Sequence, residues 1–236
     1  MISRLLAAAL VAGFLAACVS SVLQIAFTTP LIVAAESFEA APAPHSHAPG
    51  AAAHQHDVDA WQPAAGFERA GFTALATLVS GVGYALLLGA VALAMGLTPG
   101  RRNALALAAA GFVAVSLAPA LGLPPELPGM GGGAGLLARQ VWWAVTVLAA
   151  ATGLYLLVMV RSKLAVAAGL ALLLAPHLIG APAAPHGPSD VPPMLAAQFA
   201  ARSLGVALAF WISLGLSLGW AWERLGTKPK GSLAAA

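Results

Sequence analysis

The fold is decided by residues 5–27, which read LLAAALVAGFLAACVSSVLQIAF and contain no charged side chain. A helix needs roughly 20 apolar residues to cross the hydrocarbon core of a bilayer, so this stretch is long enough to span it. Its continuous apolar character favours a helix over a β-barrel strand, in which apolar and polar residues alternate. Further stretches of the same kind follow along the chain: 72–95, 104–121, 141–160, 164–179 and 199–222.

Together these stretches predict an all-α fold, a polytopic integral membrane bundle of six transmembrane helices in one domain covering residues 1–236. The 164–179 stretch is short and contains Pro176, so the count becomes five if that stretch does not fully cross. The residues Leu15-Ala16-Ala17-Cys18 also form the pattern of a lipoprotein cleavage site. We favour an uncleaved first helix, because the apolar run continues past Cys18 to Phe27.

The composition excludes the soluble classes of protein. Hydrophobic residues make up 60% of the 236-residue chain, charged residues only 8%, and the mean hydropathy is +0.88. Soluble domains carry about 25% charged residues, and disordered chains combine low hydrophobicity with high charge. The net charge of +3 therefore marks membrane topology and not a nucleic-acid partner. A single cysteine, Cys18, excludes an internal disulfide and a cysteine-based zinc cluster.

The basic residues predict the orientation of the chain in the membrane. In the six-span arrangement, three arginines (Arg69, Arg139 and Arg202) fall on one side. The other basic residues fall on the opposite side, which the positive-inside rule assigns to the cytoplasm together with both termini. These are Arg4, Arg101, Arg102, Arg161, Lys163, Arg224, Lys228 and Lys230.

Residues 28–70 are predicted to form a flexible, histidine-rich loop on the outer side. Imidazole nitrogen is a good ligand for Co, Ni, Cu and Zn, and carboxylates can add charge to the same coordination shell. Two His-x-His pairs on one tether indicate capture of a divalent metal, although a plain solvated polar loop remains the alternative. The candidate ligands are His45, His47, His54, His56, Asp57 and Asp59.

Several residues near the outer ends of the spans are candidates for an ion path. Glu36 and Glu39 would share a face of a helical extension, and with Glu126 they place carboxylates at an outer mouth that attracts cations. His177 follows Pro176 near the end of a span, where an imidazole is a candidate relay for the ion, and His186 could join it. The alternatives are an ordinary interfacial acid pair and a histidine bonded to its own loop.

No enzyme is predicted. The chain contains no G-x-x-x-x-G-K-[ST] phosphate loop and no His-Glu-x-x-His. Residues 215–219, GLSLG, match Gly-x-Ser-x-Gly but lie inside an apolar span, where small residues favour close helix approach. ATP hydrolysis and zinc-dependent proteolysis therefore have no motif to support them, and Ser217 lacks the strand-to-helix turn that serine-dependent acyl transfer needs.

Five sequence phrases occur in an order that resembles a known family. They are AESFE at 35–39, TLVSGVGYALLL at 77–88, APALGLPPELPG at 118–129, RQVWW at 139–143 and PHLIGAP at 176–182. With them the chain resembles the "probable cobalt transporter subunit" CbtA family of bacterial membrane proteins. Such proteins are usually described with five spans, whereas six are counted in this sequence.

The resemblance implies a subunit of a cobalt uptake transporter linked to cobalamin biosynthesis. It further implies a location in the bacterial inner membrane, a small single-helix, His-rich partner of the CbtB type, and Co²⁺ as the transported ion with no permanently bound cofactor. A homo-oligomer is left open. The alternative function is a metal-sensing or scaffold membrane protein that does not itself transport.

Overall fold

The computed structural model describes residues 1–39, 63–64, 66–130, 135–160, 162–183 and 189–226, and these residues form helices and connecting turns with no strand among them. Helix α1 runs through Ile2–Leu23, a π-helical turn at Gln24–Thr28 and Thr29–Glu39. The remaining helices are α2 (Phe67–Ala94), α3 (Arg101–Gly111 with Phe112–Leu117 and Ala118–Ala120), α4 (Leu136–Tyr155 with Leu156–Val160), α5 (Lys163–Ile179) and α6 (Pro193–Gly226).

The all-α membrane bundle predicted from the sequence is confirmed. Within the described residues, five helices are long and apolar enough to cross a bilayer, namely all except α5. Helix α5 has 17 residues and is roughly 26 Å long, somewhat short of a hydrocarbon core of about 30 Å. It packs against α4, where a Cβ on Gly153 would lie 2.7 Å from the carbonyl oxygen of Gly169. Whether α5 is included decides between a count of five and a count of six membrane-spanning helices.

Helix α1 extends beyond the end at Phe27 that was predicted from the sequence, because its last turns are packed. Leu31 and Ala35, four residues apart on one helix face, are both buried. They form an apolar cluster with Leu127 and Val191, which precede α4 and α6 respectively. The described helix ends at Glu39, and α2 begins at Phe67.

Small residues are buried between the helices, and large apolar residues cover the outside. Ala8 and Ala12 of α1 are fully buried, whereas Leu10 and Phe14 of the same helix are more than half exposed, at 57% and 55%. A soluble protein would bury the large side chains. Small residues at helix contacts allow close backbone approach, which is the basis of helix association in lipid.

One of these close helix contacts leads to a prediction about Gly81. A Cβ on Gly81 would lie 2.8 Å from the carbonyl oxygen of Gly13 in α1, whereas a Cβ on Gly83 would meet nothing within 4 Å. Gly81→Ala is therefore expected to lower the free energy of unfolding by about 1–2 kcal/mol through overpacking. Gly83→Ala, in the same helix, is the matched control and should be neutral or slightly stabilising. Unfolding in mixed micelles compares the two; equal stabilities would contradict the described α1–α2 contact.

One end of the bundle gathers basic residues from distant parts of the chain. The Arg4 guanidinium donates to the carbonyl oxygen of Trp222 and lies over its ring, with 4.1 Å between Cζ and the ring centroid. The Arg101 side chain pairs with Glu223 at 3.0 Å. The start of α1, the start of α3 and the end of α6 therefore meet, as the predicted topology requires.

Candidate ion pathway

An open cavity of about 580 Å³ lies between α1, α2, α3 and α6. Most of its lining surface is apolar, and we call it the polar cavity for the hydroxyl and amide groups that it gathers. Polar side chains at membrane depth are rare and mark candidate pathways for ions and substrates. Here they come from all four helices and consist of hydroxyl and amide groups. They are Ser20, Gln24, Thr28, Thr73, Thr77, Ser80, Ser116 and Ser203, to which Tyr84 adds a phenol.

Two helices widen at π-helical turns whose residues line this cavity. Gln24 and Thr28 lie in the turn Gln24–Thr28 of α1, and Ser116 lies in the turn Phe112–Leu117 of α3. Each turn is followed by a proline, Pro30 or Pro119, whose ring clashes with the carbonyl four residues earlier in a regular helix. In both helices that carbonyl belongs to a residue within the π turn, so the wider turn relieves the clash. Single π turns of this kind often occur at functional sites.

Gln24 connects α1 to α2 inside the cavity. Its side-chain amide donates to the Ser20 hydroxyl at 2.9 Å and, more weakly, to the Thr77 hydroxyl at 3.5 Å. These distances place the amide between two helices, at the point where α1 changes to π geometry. Gln24 is therefore the polar side chain on which the described cavity network centres.

The threonine hydroxyls of the cavity donate to their own helices. Thr28 donates to the carbonyl oxygen of Gln24 at 3.0 Å, Thr73 to that of Arg69 at 2.9 Å, and Thr77 to that of Thr73 at 2.8 Å. A hydroxyl has one proton to donate and two lone pairs that accept. Since these protons are used within the helices, the three oxygens are left as acceptors, and that of Thr77 already accepts weakly from Gln24.

Aromatic rings close one boundary of the cavity. The ring centroid of Trp211 lies 5.0 Å from that of Tyr84 and 5.8 Å from that of Phe210. The Trp211 indole N–H donates to the Ser116 hydroxyl at 3.0 Å, and Trp211 is only 3% exposed. Behind these rings lies the main apolar core, which includes Leu214. We call Tyr84, Phe210 and Trp211 the aromatic floor.

Two of the carboxylates predicted for an outer mouth are paired with arginines. Glu36 Oε1 lies 2.5 Å from Arg69 Nη1, and Glu126 Oε2 lies 2.5 Å from Arg139 Nη1. Both pairs are partly exposed, with side-chain exposures between 30% and 40%. A cation that binds either carboxylate must compete with a guanidinium. Glu39 is the last residue of its helix.

His177 lies in the last turn of α5, apart from the polar cavity. Its ring packs edge-to-face on Trp142, with centroids 6.0 Å apart. The indole nitrogen of Trp142 is buried without a hydrogen-bond partner among the described residues. A second cavity of about 250 Å³ lies nearby and is lined in part by Gly122, Glu126, Arg139 and Ala181.

The metal ligands predicted in the histidine-rich loop lie outside the residues that the structure describes, whereas residues 29–39 and 67–70 at the two ends of the predicted loop are helical. These ligands are His45, His47, His54, His56, Asp57 and Asp59, and His186 likewise lies outside the described residues. Within the described ranges, no group of three or more His, Cys, Asp or Glu side chains could hold a metal ion.

The polar cavity was missed by a sequence reading that searched for charges and imidazoles. Its signal was nevertheless present, because Ser20, Gln24 and Thr28 recur every fourth residue in an otherwise apolar span. Thr73, Thr77 and Ser80 repeat the pattern in the next span. Such spacings put the side chains on one helix face, which is what a shared polar cavity needs.

Comparison with known proteins gives one family. The family model described as "Probable cobalt transporter subunit (CbtA)" matches residues 2–223. No curated protein and no solved structure matches the chain.

Proposed function

The chain belongs to the probable cobalt transporter subunit (CbtA) family, and from that premise we propose that it carries Co²⁺ across the bacterial inner membrane to supply cobalamin biosynthesis. The observation that supports this proposal most is the polar cavity between α1, α2, α3 and α6. It brings oxygen atoms from four helices together within the membrane-spanning part of the chain.

Capture is assigned to the outer loop. His45, His47, His54, His56, Asp57 and Asp59 offer nitrogen and oxygen ligands on one tether. Binding by neutral imidazole competes with protonation, so we expect capture to weaken in acid. The loop raises the concentration of the ion beside the bundle.

The step from the loop to the bundle is assigned to carboxylates at the outer end. Glu36 and Glu126 are held by Arg69 and Arg139, so an arriving cation would displace a guanidinium from its carboxylate. Such partly exposed pairs contribute roughly 0–1 kcal/mol, which a divalent ion can overcome. Glu39, His177 and His186 are further candidates at this end. His177 contacts Trp142, which packs against Gly122 in the lining of the smaller cavity.

The polar cavity then takes the ion into the bundle, and the membrane potential supplies a driving force. For a divalent cation moving inward, that force is about 4.6 kcal/mol per 100 mV. The aromatic floor closes one boundary of the cavity in the described structure. Passage of the ion beyond it therefore requires Trp211 and its neighbours to move.

A partner and an orientation complete the proposal. The partner is a small single-helix, His-rich subunit of the CbtB type. Both termini are placed in the cytoplasm, because Arg4, Arg101 and Arg224 lie at the ends of helices that meet at the basic end of the bundle.

Removal of loop residues 42–60 provides a test of the capture step. We expect the cobalt concentration for half-maximal uptake to rise about 10-fold with the maximal rate unchanged, because a tethered ligand set acts through local concentration. Radiolabelled cobalt uptake by cells that express the chain with its partner measures both quantities. A Gly/Ser segment of equal length at 42–60 is the control that separates the loss of ligands from the change in loop length.

The alternative function, a non-transporting metal sensor or scaffold, makes a different prediction for the same variants. In that case cellular uptake would not depend on the chain at all, and loop removal would abolish a metal-dependent response. Unchanged uptake with and without the chain, in the presence of its partner, would contradict the transport proposal.

A further inference from the structure

We propose that the polar cavity binds a divalent cation with its first shell of water intact, so that the ion contacts the protein through its water ligands. This inference rests on the proposed function and specifies the form in which the ion is held at this site. Loss of water from the ion and direct bonds between the metal and the protein then take place at other parts of the path.

Three of the nine polar side chains that line the cavity favour a ligand that donates. Thr28, Thr73 and Thr77 each use their hydroxyl proton on a carbonyl oxygen of their own helix. Their remaining capacity is that of acceptors. Water bound to a divalent cation is polarised and is a strong hydrogen-bond donor. An aquo-cation therefore complements three acceptors in a way that an anion does not.

The charge of the cavity favours a hydrated ion over a stripped one. Its described lining contains no Asp, Glu, His, Cys, Lys or Arg side chain. Imidazole, thiolate and carboxylate are the groups that replace water on first-row divalent metals. Neutral hydroxyl and amide groups compete poorly with water, so the ion keeps its own ligands where only these groups are available.

The size of the cavity is sufficient for this ligand. Water occupies about 30 Å³ per molecule in the liquid, so an octahedral shell of six waters needs roughly 180 Å³. The cavity is open to the surface and has a volume of about 580 Å³, which leaves room for further waters around the shell. A site that bound the bare ion directly would have to bring its oxygens within about 2.0–2.6 Å of one point.

The test uses hexaamminecobalt(III), a complex of similar size that does not exchange its ligands and presents only N–H donors. Equilibrium dialysis of the purified full-length chain in nanodiscs measures its binding, and cellular uptake assays measure its competition with Co²⁺. We expect the inert complex to bind and to inhibit Co²⁺ uptake. Thr77→Val, which removes an acceptor of the cavity at nearly constant shape, should weaken binding about 10-fold.

Thr152→Val is the matched control, because Thr152 lies in a membrane span but outside the lining of the cavity. The Thr152→Val variant should bind the inert complex with the affinity of the wild type. The chain that lacks residues 42–60 should also bind it with wild-type affinity. The inference would be overturned if Co²⁺ uptake depends on the chain but the inert complex neither binds the chain nor inhibits that uptake. This result would leave the transport proposal intact. Equal weakening by both valine variants would also overturn the inference. Uptake independent of the chain would instead contradict the proposed function.

Discussion

Gln24→Leu is expected to reduce cobalt uptake about 10- to 100-fold at an unchanged level of protein in the membrane. Gln24 is the amide that joins Ser20 of its own helix to Thr77 of α2 within the cavity. Leucine has a similar size but no polar atom, so it removes hydrogen bonds from the centre of the cavity. An ion that enters with its water shell then meets an apolar surface where the amide had offered hydrogen bonds.

Gln198→Leu is the control for this change. Gln198 is exposed near the start of α6 and is not part of the cavity lining, so the same substitution there should leave uptake unchanged. Radiolabelled cobalt uptake, normalised to the protein found in the membrane fraction, gives the comparison. Equal uptake by the two variants would contradict the claim that the ion passes through the cavity.

Trp211→Ala is expected to lower the free energy of unfolding by about 3 kcal/mol. Lipid is as apolar as the protein interior, so the loss arises from the cavity left behind, the lost ring contacts and the lost hydrogen bond to Ser116. The Trp211 ring also packs directly against α3, because a Cβ on Gly111 would lie 2.4 Å from its Cζ3 atom. The aromatic floor therefore supports the packing of α3 on α6 as well as closing the cavity.

Trp143→Ala is the matched control, since Trp143 is 42% exposed on the surface of α4. Its effect on the free energy of unfolding should be about 1 kcal/mol or less. Unfolding of the purified variants in mixed micelles measures both values. Equal destabilisation would mean that Trp211 is not the packed residue that the structure describes.

Helix placement was predictable from the sequence because it depends on long apolar runs and little else. The extension of α1 to Glu39 was not predictable in this way, since Leu31 and Ala35 are stabilised by Leu127 and Val191, residues far along the chain. Likewise, the sequence placed Glu36 and Glu126 at the outer end, but the pairing of each with an arginine depends on how the helices pack.

The candidate site was only partly accessible to sequence reasoning for a related physical reason. A single histidine or carboxylate can indicate metal binding, whereas a single serine or threonine in a membrane helix indicates no particular function. The hydroxyls become a site only when α1, α2, α3 and α6 bring them to one cavity. The prolines at 30 and 119 were visible in the sequence, but their link to π turns beside the cavity depends on the three-dimensional structure.

The most direct measurement of the central claim is radiolabelled Co²⁺ flux into proteoliposomes that contain the purified chain, alone and with its small partner. An inside-negative potential supplies the driving force. We predict accumulation that requires the chain, increases with the potential and falls at least about 10-fold for Gln24→Leu. Flux equal to that of protein-free liposomes, both with and without the partner, would contradict the claim that this chain carries cobalt across the membrane.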